Sequence, residues 1–210
     1  MIGAGEVVLF GHSMGCQVAL EAYRIHREDV RAMVRICGSH GRITHTFKGT
    51  DVMAQLLPRV IETVDKHTRL ARGLWGHLPP EVALRIALVT GEVDKASIVP
   101  EDLLPYMKHM VDIDLPMFLR MLRSAGEHSA RDLLPEIDVP VLVLAGDRDS
   151  FTPTRYAEEM AALIPRSELK ILSGTHVIPI ERKDQVIELI EQFVRRLSPG
   201  ESALTTSSEG

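Results

Sequence analysis

A chain of 210 residues, 45% hydrophobic and 25% charged, can bury a substantial core and is too balanced in composition for a disordered or fibrous protein. Its 24 basic and 29 acidic residues are interspersed and sum to −5, which leaves no basic stripe for a phosphate backbone and argues against a nucleic-acid partner. Only Cys16 and Cys37 could pair, so a disulfide framework is excluded, and with neither a membrane-length apolar run nor a signal-peptide pattern at Met1–Phe10 a cytoplasmic protein is expected.

In chain order, Glu6–Phe10 reads as a short strand ending at a glycine, and a helical pattern begins at once with Gln17–Ala22. Val30–Ile36 is a second strand, closed by Cys37-Gly38-Ser39. Asp51–Leu74, Pro80–Thr90 and Pro100–Gly126 read as helices. Met107, Met110, Met117 and Met121 recur in the last of these at helical spacing and are expected to form the core of that layer. Val139–Ala145 is nearly unbroken in apolar residues, as a strand buried on both faces requires. A helix over Arg155–Leu163, a strand over Glu168–Leu172 and a helix over Lys183–Leu197 follow, and Ser198–Gly210 reads as a disordered tail.

Strands alternating with helices predict an α/β fold with a mostly parallel sheet. The helices between the second and third strands are too extensive for a plain crossover. Residues 1–40 and 130–197 are therefore expected to form the core, and 41–129 a helical cap or lid over the sheet's C-terminal edge.

Gly11-His12-Ser13-Met14-Gly15 is a G-x-S-x-G sequence set directly between a strand and a helix. A serine in so tight a turn sits in strained backbone, and the flanking Gly11 and Gly15 are expected to remove the Cβ clashes that would forbid it. Ser13 is then raised above the sheet as a nucleophile, with the Met14 N–H at the helix start as an oxyanion donor. A serine needs a base, and the base an orienting acid. Gly146-Asp147-Arg148-Asp149 ends the third strand and Ser173-Gly174-Thr175-His176 the fourth, which delivers carboxylates and an imidazole to the same sheet edge. The order Ser, Asp, His is that of one hydrolase architecture.

The segments FGHSMGCQVALEA, VPVLVLAGDRDSFTP and GTHVIPIERKDQVIELIEQF resemble the nucleophile, acid and histidine motifs of the α/β-hydrolase superfamily, over roughly residues 5–40 and 130–197. The resemblance implies Asp149 as the catalytic acid, with Asp147 as the alternative and otherwise a brace for the turn. It also implies several further strands before the nucleophile strand, together with a loop that supplies a second oxyanion N–H. In this sequence the nucleophile strand begins within the first ten residues. Met1 is therefore expected to be an internal start or a fragment boundary, leaving an exposed apolar strand edge through which the chain self-associates.

Among the remaining candidates, His12 is expected to pack or hydrogen-bond within the turn. His40 and His45 are expected to be loop or surface residues near the mouth of the site, and Cys16 to pack against the sheet. No ligand spacing supports a metal site, and no cofactor is required. The expected function is a serine hydrolase cleaving an ester or related acyl bond of a small, hydrophobic acyl substrate. The alternative is a truncated, catalytically impaired fragment or interaction module.

Overall fold

The computed structural model describes residues 6–197; the expected tail at 198–210 lies outside the described residues. Four strands, β1 (Val7–His12), β2 (Val30–Ile36), β3 (Val141–Gly146) and β4 (Ser167–Leu172), form one parallel sheet in the order β1-β2-β3-β4. The fold class is α/β, as expected.

Alternation along the two central strands decides how the sheet is covered. Met33, Val141, Val143 and Ala145 face one side, where they pack with Leu20 and Tyr23 of α1 (Gly15–Ile25) and Ala157 and Met160 of α7 (Thr154–Leu163). Ala32, Val34, Ile36, Leu142 and Leu144 face the other, against Ile178 of α8 (Ile178–Glu181) and Val186 and Phe193 of α9 (Lys183–Leu197). Period-two side chains thus fill two separate cores on a two-faced sheet. β3, the strand most continuously apolar in sequence, is buried along its whole length. β1 and β4 are the outer strands among the described residues, and Phe10 of β1 is 54% exposed.

Between β2 and β3 stand α2 (Val52–Lys66), α3 (Thr68–Gly76), α4 (Pro80–Thr90), α5 (Pro100–Asp112) and α6 (Leu115–Glu127). Two of the three expected helical runs are each split. The first breaks at His67, where the Thr68 hydroxyl donates to the Val64 and Asp65 carbonyls. The second breaks at Ile113-Asp114, both extended; Asp114 caps α6 by accepting from the Met117 N–H at 3.0 Å, and Pro116 sits in the first turn of α6. The methionine stripe therefore falls on two helices and divides. Met107 packs with Leu84, Val93 and Leu103, whereas Met117 and Met121 are exposed. Leu57 and Ile61 of α2 meet Leu119 of α6 in a further small core. No helix among the described residues is long and apolar enough to cross a membrane.

Candidate active site

The strands are parallel, so their C-terminal ends lie at one edge of the sheet, and Ser13, Asp149 and His176 follow β1, β3 and β4 respectively. Ser13 has φ of 55°, the left-handed region that side chains avoid. Its N–H donates to the Ile36 carbonyl of the neighbouring strand at 3.0 Å, and its own carbonyl accepts from the Cys16 N–H at 3.0 Å, which pins the turn at both ends.

Of the two glycines flanking this turn, Gly11 removes a Cβ clash as expected and Gly15 does not. A Cβ on Gly11 would stand 2.6 Å from the Gly15 carbonyl oxygen and 2.8 Å from the Cys16 Cα, so strand and helix approach only because Gly11 has no side chain. Gly15 instead faces open space among the described residues. The second close approach belongs to Gly38, after β2, where a Cβ would collide with the Cys16 Sγ and lie 2.9 Å from the Ser13 carbonyl oxygen. Sequence spacing missed Gly38 because it is distant in the chain. Cys16 is fully buried beneath the turn, its thiol donating to the Gly11 carbonyl at 3.2 Å, and burial pushes that thiol up from its ordinary pKa.

His176 Nδ1 donates to the Asp149 carboxylate, 2.9 Å from Oδ2 and 3.1 Å from Oδ1. The Asp149 side chain is buried, and it also accepts from the Phe151 and Thr152 N–H groups at 2.8 Å and from the Thr152 hydroxyl at 2.7 Å. Burial alone would raise its pKa, but the His176 and Thr152 contacts outweigh that and bring it below the ordinary aspartate value. Asp147 is exposed and accepts from the Gly174 N–H at 2.9 Å, bracing the histidine loop without touching His176.

His12 Nε2 donates to the His176 carbonyl at 3.0 Å, and the two rings stand 5.1 Å apart. Burial and the neighbouring His176 lower the pKa of His12, which keeps it neutral at pH 7. Phe151 packs on the opposite flank, 5.0 Å from the His176 ring, and Phe47 continues that aromatic wall 5.1 Å beyond. His40 lies in the loop after β2, as expected, but is buried there: it pairs with Glu159 at 3.1 Å and lies edge-on to Tyr156. His45 is half-buried on a short 3-10 turn beside Thr44.

Cys37 Sγ lies within 4.8 Å of donor atoms of Asp149 and His176, a trio with metal-ligand chemistry. Those donors are already engaged. Asp149 accepts the four groups named above, and burial together with the Asp149 charge pushes the Cys37 thiol well up and keeps it protonated. A hydrogen-bonded carboxylate–imidazole pair and a neutral packing thiol describe the trio better than a ligand set.

Nothing in the motif spacing flagged Phe151, Cys37 or the buried Glu181. The last had a signal, a lone carboxylate closing the apolar run Val177-Ile178-Pro179-Ile180.

The model of the Alpha/beta hydrolase family matches residues 2–189. The chain belongs to the α/β-hydrolase family. This α/β-hydrolase chain is 26% identical over 200 residues to an uncharacterized hydrolase, YugF, of Bacillus subtilis, covering 90% of the chain and 66% of that relative. It superposes on a thermophilic esterase from Thermogutta terrifontis with TM-score 0.67 and 23% identity, covering 92% of the chain and 66% of the esterase. An esterase from Exiguobacterium antarcticum gives 0.65 and 21%, over 91% and 67%. The α/β-hydrolase chain thus spans about two thirds of the length of these relatives.

Proposed function

We propose that the chain is a serine hydrolase that cleaves an ester or related acyl bond through an acyl-Ser13 intermediate. The observation that carries this reading is the His176 imidazole, whose Nδ1–H is held by a buried, ionised Asp149 while the strained Ser13 turn leaves the same sheet edge. With Nδ1 committed to Asp149, Nε2 is the ring nitrogen left to act as the base. Ser13 Oγ attacks the acyl carbon while His176 Nε2 takes the hydroxyl proton. The proton then passes to the leaving alkoxide, and water repeats both steps on the acyl-serine. The Met14 N–H, at the N-terminus of the eleven-residue α1, meets the charge that develops on the acyl oxygen.

A groove of about 910 Å³ runs between α1 and α6 past Val18, Pro116, Met117 and Met121. Met14 lines it but Ser13, Asp149 and His176 do not, so the reading of a hydrophobic acyl group rests on the apolar helical insertion and not on this groove. We read residues 41–129 as a cap whose α6 forms one wall of that groove. Similarity to esterases supports the hydrolytic reading and leaves the acyl group to experiment.

The test is covalent labelling of the 210-residue chain with a fluorophosphonate, beside Ser13→Ala. Labelling that disappears in Ser13→Ala is the expected result. A folded chain that stays unlabelled would favour the impaired-fragment reading.

A further inference from the structure

The inserted helical layer holds both loops of the acid–base pair through the turn between α4 and α5, where Asp94 reaches both loops and the nearby Glu92 accepts from the Ser150 hydroxyl, next to Asp149. The Asp94 backbone N–H donates to Glu181 Oε1 at 2.7 Å. Glu181 is 6% exposed and spends its remaining capacity on Thr175, accepting from the Thr175 N–H at 2.7 Å and from its hydroxyl at 2.8 Å. Thr175 is the residue before His176. The Asp94 carboxylate reaches the other loop, accepting from Arg148 Nη2 at 2.7 Å, and Arg148 is the residue before Asp149. The neighbouring side chains repeat the connection in apolar form: Val93 shares a buried cluster with Leu84 of α4, Leu103 of α5 and Val177, the residue after His176.

Asp94 is organised for this role. Its own oxygens also accept from the Ser97 hydroxyl at 2.7 Å and the Ala96 N–H at 3.1 Å, which shapes the turn, and Arg182 stands 3.8 Å away. Ser97, Arg148 and Ala96 hold its carboxyl well below the usual carboxylate range. Asp94 is the residue of the insertion whose polar contacts reach both loops, with Glu92–Ser150 and Val93–Val177 beside it.

We propose that Asp94 is a positioning residue, through which the seating of the helical insertion on the sheet sets the Asp149–His176 pair. The inference deepens the acyl-serine reading and rests on it for its catalytic meaning. It makes the insertion more than a cover: a movement that lifts the α4–α5 turn slackens both loops together.

The experiment follows the His176 imidazole by NMR titration in the full chain, alongside the pH profile of Ser13 labelling. The chains compared are the wild type, Asp94→Asn, Arg148→Gln, their double variant, and Arg85→Ala, an exposed control on α4. Asp94→Asn is expected to shift the midpoint of the imidazole titration and slow labelling by about 2- to 30-fold. Arg148→Gln should move both readouts the same way, the double variant should be no worse than Asp94→Asn, and Arg85→Ala should leave both unchanged. A purely structural Asp94 would lower the melting temperature and leave the titration midpoint in place, and that result overturns the proposal. Should Asp94→Asn fail to fold, Arg148→Gln decides alone, because it leaves the turn's own hydrogen bonds intact. A wild type that resists labelling while its imidazole titration still responds to Asp94→Asn counts against the acyl-serine reading and upholds the positioning role.

Discussion

Asp149 shows how far a single side chain links stability to the site. Its carboxylate is buried and accepts four hydrogen bonds, so its folded pKa lies below that of an aspartate in the unfolded chain, about 3.9. Acidification therefore protonates the unfolded chain first. The stability contributed by Asp149 is complete above about pH 4 and is lost as the pH falls through the folded value. Asp149→Asn removes this dependence, and its amide also turns donors toward donors, which costs about 1–3 kcal/mol at neutral pH. Denaturant melts between pH 7 and pH 3 should show the variant less stable at pH 7 but flatter on the acid side. Parallel acid limbs in the two proteins would mean that Asp149 is not the ionised partner of His176. That Asp149, and not Asp147, meets the imidazole was legible in the motif. The full burial of Arg35 was not: it sits in the β-branched run of β2 with Nη2 donating to the Ser39 carbonyl at 3.2 Å, and alternation alone does not separate it from the half-buried Arg31.

At the scale of elements, the junction of β1 and α1 makes two similar glycines opposite in effect. Gly11→Ala drives a methyl group into the backbone of Gly15 and Cys16, which cannot yield without separating strand from helix. A loss of about 1–3 kcal/mol is expected from such overpacking. Gly15→Ala places its methyl group in open space in the first turn of α1, where the better helix former gains up to about 1 kcal/mol. Denaturant midpoints compare the two directly, and a Gly15→Ala variant as damaged as Gly11→Ala would refute the packing described for this junction. The G-x-S-x-G pattern announced the turn but not which glycine bears the close approach, because Gly38 comes from β2. The strands β2 and β3 were readable to within about two residues, since double-sided burial demands continuous apolar side chains. The helical insertion was readable as helix and misread in its joints. The signals at Asp114 and Pro116 lay inside a run whose apolar periodicity continues on both sides.

For the molecule as a whole, the β1 end of the sheet carries apolar groups on both faces that the rest of the described residues do not cover. Phe10 on β1 and Val18 and Ile25 on α1 are 54%, 64% and 68% exposed, and β1 has its outer edge open among the described residues. A parallel strand in an α/β sheet is normally flanked and covered on both faces, and an open apolar edge is a template for pairing with another chain. The 210-residue polypeptide by itself is therefore expected to elute in gel filtration well above its 23.3 kDa. Phe10→Lys puts a charge in the middle of that edge and should shift the elution toward the monomer. Ile171→Lys on β4, at 44% exposure on the opposite edge, is the matched control and should leave the elution unchanged. Equal effects from the two substitutions would assign the association to general stickiness. A monomeric wild type would show that the exposed groups on β1 and α1 do not drive assembly in solution.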